Sequence, residues 1–185
     1  MKRRFLIASS GAALLAGCSS APVHNWSIAA LPGAVRGGTG QRVGVRPIGL
    51  PAALNQSGVP VFSVDYAANT FPNDQWAAPL SSLLQTAMVQ DLAQRLPADT
   101  VLAVGGAIGA APDELVEIQL LTFAPDSAGE VRLMAQLAVR PAKAQIWQFR
   151  NFSATAPAGK TAQQIVAAMS QLWAQAADQV AAMLA

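Results

Sequence analysis

Residues 114–139, ELVEIQLLTFAPDSAGEVRLMAQLAV, carry the clearest structural pattern in the chain. Acidic or polar residues alternate with apolar ones over 114–125, and a similar alternation returns over 130–139. Alternation with a period of two is typical of a β-strand that buries one face. Between the two stretches, DSAG at 126–129 suits a hairpin loop. The sequence therefore predicts two neighbouring antiparallel strands here.

Five other segments are predicted to be strands, because they alternate or are rich in β-branched and aromatic residues. They are NWSIAALP (25–32), RVGVRPIGLP (42–51), VPVFSVDYA (59–67), TVLAVGGAI (100–108) and AQIWQFRNFSATA (144–156). Between the first two lies GAVRGGTGQ (33–41), whose glycines predict a loop.

Helical spacing of apolar residues predicts a first amphipathic helix of about 20 residues. Asn73 or Asp74 is a suitable N-cap, and Pro79 is tolerable within the first turn. Pro97 ends the segment. The apolar stripe consists of Trp76, Leu80, Leu83, Leu84, Ala87, Met88, Leu92 and Leu96.

A second helix is predicted at the end of the chain. TAQQ at 161–164 has the pattern of a capping box, with Thr161 at the N-cap and Gln164 three residues later. Its apolar stripe consists of Ile165, Met169, Leu172, Trp173, Ala176, Val180 and Leu184.

The order of these elements predicts an α+β fold, a two-layer sandwich. We expect both long amphipathic helices to cover one face of a mainly antiparallel sheet. The other face is then free for solvent or a partner.

The first 17 residues have the pattern of a secretory signal peptide. MKRR supplies the positive charge, and residues 5–17 are uncharged. A helix that spans a bilayer needs roughly 20 apolar residues, so this shorter run predicts an export signal rather than a permanent anchor. The pair Arg3–Arg4 leaves twin-arginine export open as an alternative to the general route.

Cys18 is the only cysteine of the chain. Together with Leu15–Gly17 it resembles the bacterial lipobox, which implies cleavage before Cys18, a diacylglycerol on its sulfur and acylation of the new amino terminus. Two or more acyl chains anchor a protein stably. Ser19, in place of an aspartate, favours the outer membrane. A spare cysteine and an intermolecular disulfide are the alternatives.

The predicted division of the chain is a signal peptide at 1–17, a lipidated leader at 18–25 and one domain at 26–185. Removing the signal lowers the Lys and Arg count from 12 to 9 against 10 acidic residues, so the net charge changes from +2 to −1. Nucleic-acid binding needs a basic patch or stripe, so we expect no nucleic-acid partner.

Residues for catalysis or metal binding do not cluster in the sequence. The only histidine, His24, lies in the predicted leader, which argues against a Ser-His-Asp triad. Glu114 and Glu117, three apart on a strand, face opposite sides. The glycines of GGAIG (105–109) lack the spacing and the lysine of a P-loop, and they predict a turn. We therefore expect no catalytic residue, no metal and no cofactor apart from the covalent lipid on Cys18.

Over roughly residues 24–185, the order of these features resembles the ABC-type transport auxiliary lipoproteins, the PqiC-like (YmbA-like) family. The resemblance rests on the lipobox, the RVGVRPIGLP strand, the hairpin and the alanine-rich final helix. Its most specific part is an N-x-x-W-A-x-P-L block at the predicted start of the first helix, made of Asn73, Trp76, Ala77, Pro79 and Leu80.

The resemblance implies a non-enzymatic outer-membrane lipoprotein that faces the periplasm. Its partners would be an MCE-domain substrate-binding protein with its ABC permease and ATPase, in a system that moves phospholipids or other hydrophobic molecules. Some members of the family form rings, so a homo-oligomeric ring is implied too. The motif residues would be structural or would contact a partner.

A second function stays open at this point. The chain could instead be an assembly or stabilising lipoprotein of another envelope machine, with a secretin or a barrel protein as partner. An envelope hydrolase is a third reading, and the missing catalytic set argues against it.

Overall fold

The computed structural model describes residues 21–61, 69–144 and 146–185. The predicted signal peptide at 1–17 and Cys18 lie outside these ranges. Most of the strand predicted at 59–67 also lies outside them.

The described residues form eight strands and two α-helices, with one 3₁₀ turn at Ala52–Leu54. The strands are β1 (His24–Trp26), β2 (Arg42–Val45), β3 (Gly58–Pro60), β4 (Thr70–Trp76), β5 (Thr100–Ala103), β6 (Glu114–Pro125), β7 (Glu130–Pro141) and β8 (Gln148–Pro157). The helices are α1 (Leu80–Arg95) and α2 (Ala162–Leu184).

The strands form two sheets of mixed orientation. A five-stranded sheet has the order β5-β2-β6-β7-β8, and a three-stranded sheet has the order β1-β4-β3. Strands β6, β7 and β8 are antiparallel, whereas β2 runs parallel to both β5 and β6. Parallel neighbours need a long crossover, and α1 lies in the one between β2 and β5. The predicted α+β class with two long helices is confirmed, and the structure adds a second sheet and the parallel pairs.

The hairpin predicted from residues 114–139 is confirmed. Val116 lies opposite Val139, and the pairing continues along both strands with one register shift between Leu120 and Thr122. In the loop, Gly129 has a φ of 78°, in the left-handed region that favours glycine. The hairpin is the centre of the larger sheet.

The predicted capping box and apolar stripe of α2 are confirmed. The Gln164 backbone N–H donates to the Thr161 hydroxyl at 3.3 Å, and the Thr161 N–H donates to the Gln164 side-chain oxygen at 3.2 Å. Within the stripe, Trp173 is fully buried and donates its indole N–H to the Leu84 carbonyl at 3.0 Å. Its ring stacks with Phe123 at a centroid distance of 6.2 Å. This contact joins α2 to α1 and β6.

The core lies between the two helices and the inner face of the larger sheet. On β7, alternate side chains are buried as the sequence pattern predicts, namely Val131, Leu133, Ala135, Leu137 and Val139. Helix α2 packs across β7 and β8, while α1 packs on β5 and on α2.

The predicted start of the first helix was wrong. Asn73, Asp74 and Trp76 lie on β4, and α1 begins only at Leu80 with Pro79 as its N-cap. Two physical reasons favour the strand. A residue before proline avoids helical dihedrals, and β4 pairs with β1 on one side and β3 on the other. Trp76 is therefore a strand residue and not part of the helical stripe.

Three predicted strands are shorter in the structure than in the sequence analysis. Within 25–32 the strand ends at Trp26, within 42–51 it ends at Val45, and within 100–108 it ends at Ala103. Single backbone hydrogen bonds to β6 continue after β2, where the Arg46 N–H donates to the Val116 carbonyl at 3.0 Å and the Gly49 N–H donates to the Ile118 carbonyl at 2.9 Å. After β2, Pro47 has no N–H to donate to a ladder. The segment predicted at 144–156 also starts later, and it forms β8 from Gln148 to Pro157.

Candidate functional site

The N-x-x-W-A-x-P-L block lies where β4 ends and α1 begins. Trp76 and Leu80 are buried, Asn73 is half-buried, and Ala77 and Pro79 are exposed. Buried apolar residues usually stabilise a fold, whereas exposed ones are available to a partner. The block is thus divided between the two roles that the sequence left open.

Backbone hydrogen bonds tie this block to two other segments. The Trp76 N–H donates to the Ser57 carbonyl at 2.7 Å, and the Ala77 N–H donates to the Trp26 carbonyl at 2.8 Å. Beside them is a cavity of about 350 Å³ that reaches the surface. Its lining contains no titratable side chain and consists of Asn55, Gln56, Ser57, Trp76, Ala78, Pro79 and Leu80. Its chemistry suits contact rather than proton transfer.

A buried guanidinium, that of Arg95 at the end of α1, is the centre of a second cluster. Its Nε donates to Asp178 Oδ1 at 2.6 Å, and its Nη1 donates to the Asp91 carbonyl at 3.0 Å. Nη1 also reaches the Leu31 carbonyl at 3.1 Å, and Nη2 reaches the Ala174 carbonyl at 3.1 Å. The side chains of Arg95 and Asp91 have no exposed surface.

Hydrogen bonds from this cluster hold residues 31–36, in the segment that follows β1. The Leu31 N–H donates to Asp91 Oδ1 at 2.8 Å, and the Arg36 N–H donates to the Arg95 carbonyl at 2.6 Å. A Cβ atom on Gly33 would overlap the Arg95 guanidinium. The absence of a side chain at position 33 therefore lets the segment lie directly on the buried arginine.

Burial raises the pKa of Asp91, while the Leu31 N–H and the Arg95 charge act in the opposite direction. A group with no exposed surface cannot meet a ligand in solution. The cluster therefore joins α1, α2 and the segment after β1, and its role is structural. The apolar spacing of α1 did not predict this cluster, although Asp91 and Arg95 stand four residues apart within the stripe, a spacing that permits an ion pair.

A third group of residues surrounds the start of β1. The Trp26 indole N–H donates to Asp74 Oδ1 at 2.8 Å, and His24 Nδ1 lies 3.3 Å from the same oxygen. His24 is therefore part of the folded domain, two residues before its predicted start, with 61% of its side chain exposed. The cavity here, about 520 Å³, is also lined by Phe71 and Lys160.

A smaller cavity of about 290 Å³ adjoins it, because both are lined by Phe71 and Lys160. Its other walls include the hairpin loop 126–129 and Gly159. We call the surface formed by His24, Phe71, Lys160 and the loop 126–129 the β1 end.

The outer face of the larger sheet, opposite the helices, exposes apolar side chains near β8. Phe149 is 71% exposed and stacks on Trp147 at a centroid distance of 5.7 Å. Arg140 covers Trp147, with its guanidinium carbon 4.7 Å from the ring centroid, and the neighbouring Ile146 is 76% exposed. This face offers aromatic and apolar contacts on an edge strand.

The described residues contain neither a metal-binding cluster nor a membrane-spanning helix. Among residues 21–61, 69–144 and 146–185, no three His, Cys, Asp or Glu side chains are grouped closely enough to hold a metal ion. No helix within those ranges is long and apolar enough to cross a membrane.

Comparison with known proteins identifies the class. Residues 27–181 match the family described as the ABC-type transport auxiliary lipoprotein component. This match spans most of the chain, so the chain belongs to that family, as the sequence analysis predicted.

Solved structures share the fold. An uncharacterised protein of 17% identity has a TM-score of 0.74 over 89% of this chain and 100% of its own. A Xanthomonas campestris protein of the DUF330 family has 14% identity and a TM-score of 0.71 over 89% of this chain and 95% of its own. No curated protein matched the sequence.

Proposed function

We propose that this chain is a non-enzymatic lipoprotein of the outer membrane that docks the periplasmic component of an MCE-type ABC transport system. The transported molecules would be phospholipids or other hydrophobic compounds. The observation that carries the proposal is the family match over 27–181, which begins nine residues after the cysteine of the predicted lipobox. Membership in a family of auxiliary transport lipoproteins is established; the MCE partner, the cargo class and the outer membrane are the proposed refinements.

The physical features of the domain agree with an auxiliary role. Its ionisable side chains are largely engaged in structural pairs, such as Arg42 with Asp113 at 2.7 Å and Arg46 with Glu117 at 2.7 Å. The exposed aromatic ring of Phe149 lies on the outer face of the larger sheet, with the exposed Ile146 nearby in the chain, and such groups suit protein contacts. A homo-oligomeric ring, as in other members of the family, would be one use of such a face.

The lipid anchor is the first part of the proposal to test. Changing Cys18→Ala should release the protein from the membrane fraction, because the thioether and the acylated amino terminus are both lost. Cys18→Ser is a matched control that removes the sulfur with minimal change in size and should behave identically. Unchanged membrane association of both variants would contradict lipidation at Cys18.

The partner is tested by crosslinking in intact cells, followed by affinity purification and mass spectrometry. We expect an MCE-domain protein together with its permease and ATPase. Recovery of a secretin or a barrel protein would instead support the assembly role. If no envelope protein is captured, the family membership accounts for the fold but the proposed docking role is wrong.

The exposed part of the motif block allows a sharper version of the same experiment. A photo-reactive amino acid at exposed Ala77 probes the motif, and one at Val35, which is 69% exposed on a different segment, is the control. Capture from position 77 and not from 35 would make the block a partner contact. Equal yields from both positions would reject that role.

A further inference from the structure

The length of chain between the anchor and the domain limits how the domain can be oriented. Six residue steps separate Cys18 from His24, and a fully extended chain spans at most about 3.6 Å per residue, or roughly 20 Å in all. His24 is not free to move away from the domain, because β1 pairs in parallel with β4. The Trp26 indole fixes the same strand through Asp74 at 2.8 Å.

The β1 end is also firmly joined to the rest of the domain. The Ala158 N–H donates to the Gly129 carbonyl at 2.9 Å, which holds the hairpin loop against the segment that leads from β8 into α2. Further along the chain, the Ala29 N–H donates to the Ser170 hydroxyl at 3.1 Å, so the segment after β1 follows α2. A tether attached at His24 therefore controls the orientation of the whole domain.

The charged groups at the β1 end suit a layer of phosphate-containing headgroups. Lys160 is exposed, and no carboxylate among the described residues pairs with its ammonium group. The two aspartates nearby are already engaged: Asp74 accepts from Trp26, and Asp126 pairs with Arg132 at 2.9 Å. An unpaired lysine near a surface is attracted to anionic lipid.

We propose that the β1 end rests on the phospholipid headgroups of the anchoring membrane, with the opposite end of the larger sheet pointing away from it. This inference depends on the proposed lipidation of Cys18. Strand β6 has 12 residues, and at about 3.3 Å per residue its two ends are about 36 Å apart. The far end includes Lys143, just after β7 and beside the exposed Ile146 and Phe149.

The orientation can be measured with fluorescent labels on the full-length lipidated protein in vesicles of phosphatidylethanolamine and phosphatidylglycerol. The sulfur of Cys18 is occupied by lipid, so one introduced cysteine is the only free thiol. Ser127→Cys labels the β1 end, and Lys143→Cys labels the far end; both positions are exposed. Spin-labelled headgroups in the vesicles quench only nearby fluorophores.

We expect quenching at position 127 to be severalfold stronger than at 143. Equal quenching, or stronger quenching at 143, would overturn the proposed orientation. Gln163→Cys, exposed on the first turn of α2, is a second probe of the β1 end and should agree with position 127. It also keeps the test valid if the hairpin variant misfolds.

Failure of the anchor itself has a different signature. Protein that does not float with the vesicles before any label is read would reject lipidation, and the orientation with it. Protein that floats but shows the wrong quenching order would reject only the orientation, leaving the proposed anchor and transport role intact.

Discussion

The β6–β7 hairpin and the segment of residues 27–41 are both ordered, but for opposite reasons. The hairpin pairs residues that are close in sequence, in a ladder that runs from Glu114 to Pro125. The segment 27–41 contains no strand, and its partners lie far away: Leu31 bonds to Asp91, 60 positions later, and Ala29 to Ser170, 141 positions later. Local pattern stabilises the first region, and buried side-chain charges stabilise the second.

The comparison shows that irregular backbone need not be weakly held. Buried backbone groups require partners whatever their secondary structure. In the hairpin, a neighbouring strand supplies them; in the segment 27–41, Asp91 and Arg95 supply several of them. The two regions should therefore respond differently to substitution, and the following predictions run from the largest expected effect to the smallest.

Removing the buried guanidinium should be the most damaging change. Arg95→Met should lower the free energy of unfolding by about 3–5 kcal/mol, because Asp91 is left as a buried carboxylate without its cation. Urea denaturation of the purified protein measures this. The control is Arg46→Met, whose exposed pair with Glu117 should cost less than about 1 kcal/mol. Equal losses in the two variants would mean that the cluster does not hold the segment 27–41.

Trp76 tests the link between β4 and α1. Trp76→Ala should lower the free energy of unfolding by roughly 3–5 kcal/mol, because a large buried ring is replaced by a cavity. Thermal unfolding and partner capture should be measured on the same variant. If stability is kept while partner capture is lost, Trp76 is an interface residue rather than a core residue.

Gly33 tests the fit of the segment on the buried arginine. Gly33→Ala should destabilise the protein by about 1–3 kcal/mol, because the added methyl overlaps the Arg95 guanidinium. Gly37→Ala, in the same segment with no atom close to the new Cβ, should be neutral or slightly stabilising. Chemical denaturation of both variants gives the difference directly, and a harmless Gly33→Ala would show that the segment can shift.

Substitutions of Thr161 test the N-cap of α2, an interaction between residues close in sequence. Thr161→Ala should cost about 0.5–2 kcal/mol, because the Gln164 N–H loses its acceptor at the start of α2. Thr161→Ser keeps the hydroxyl and should retain most of the stability, as followed by the loss of helical circular dichroism on heating. A serine variant as unstable as the alanine variant would show that the methyl group, and not the cap, matters.

Asp126 should produce the smallest effect, and its distinguishing feature is the way stability depends on pH in acid. The Arg132 side chain and the Glu130 and Ala128 N–H groups hold the pKa of Asp126 below its usual range. A lowered pKa in the folded state adds stability above the ordinary value near 3.9, and this stability is lost as the pH falls further. Asp126→Asn should therefore flatten the decline in melting temperature below about pH 4. An unchanged acid profile would contradict the assignment.

Most of the larger sheet and all of α2 could be predicted from the sequence. Val116 and Val139 alternate with polar neighbours, and Thr161 with Gln164 forms a cap within a few residues. These signals work because hairpins and helix caps depend on neighbours in the chain. The family could likewise be predicted without coordinates, whereas lipidation of Cys18 stays a prediction.

The start of α1 and the role of the motif block could not be predicted from short-range sequence signals. Apolar spacing placed Trp76 on a helix, but pairing of β4 with both β1 and β3 decided for a strand. Local pattern also did not predict the Arg95 cluster, because its members come from α1, α2 and the segment 27–41.

By itself, the sequence determined the α+β class, the hairpin, the final helix and the family, since each depends on short-range pattern or composition; the export signal stays a prediction. Only the tertiary structure decided the parallel pairs of β2, the strand at Trp76, the buried Arg95 cluster and the surface on which His24 and Lys160 meet. Each of these joins residues that are distant in the chain, and a one-dimensional pattern does not specify which distant residues become neighbours.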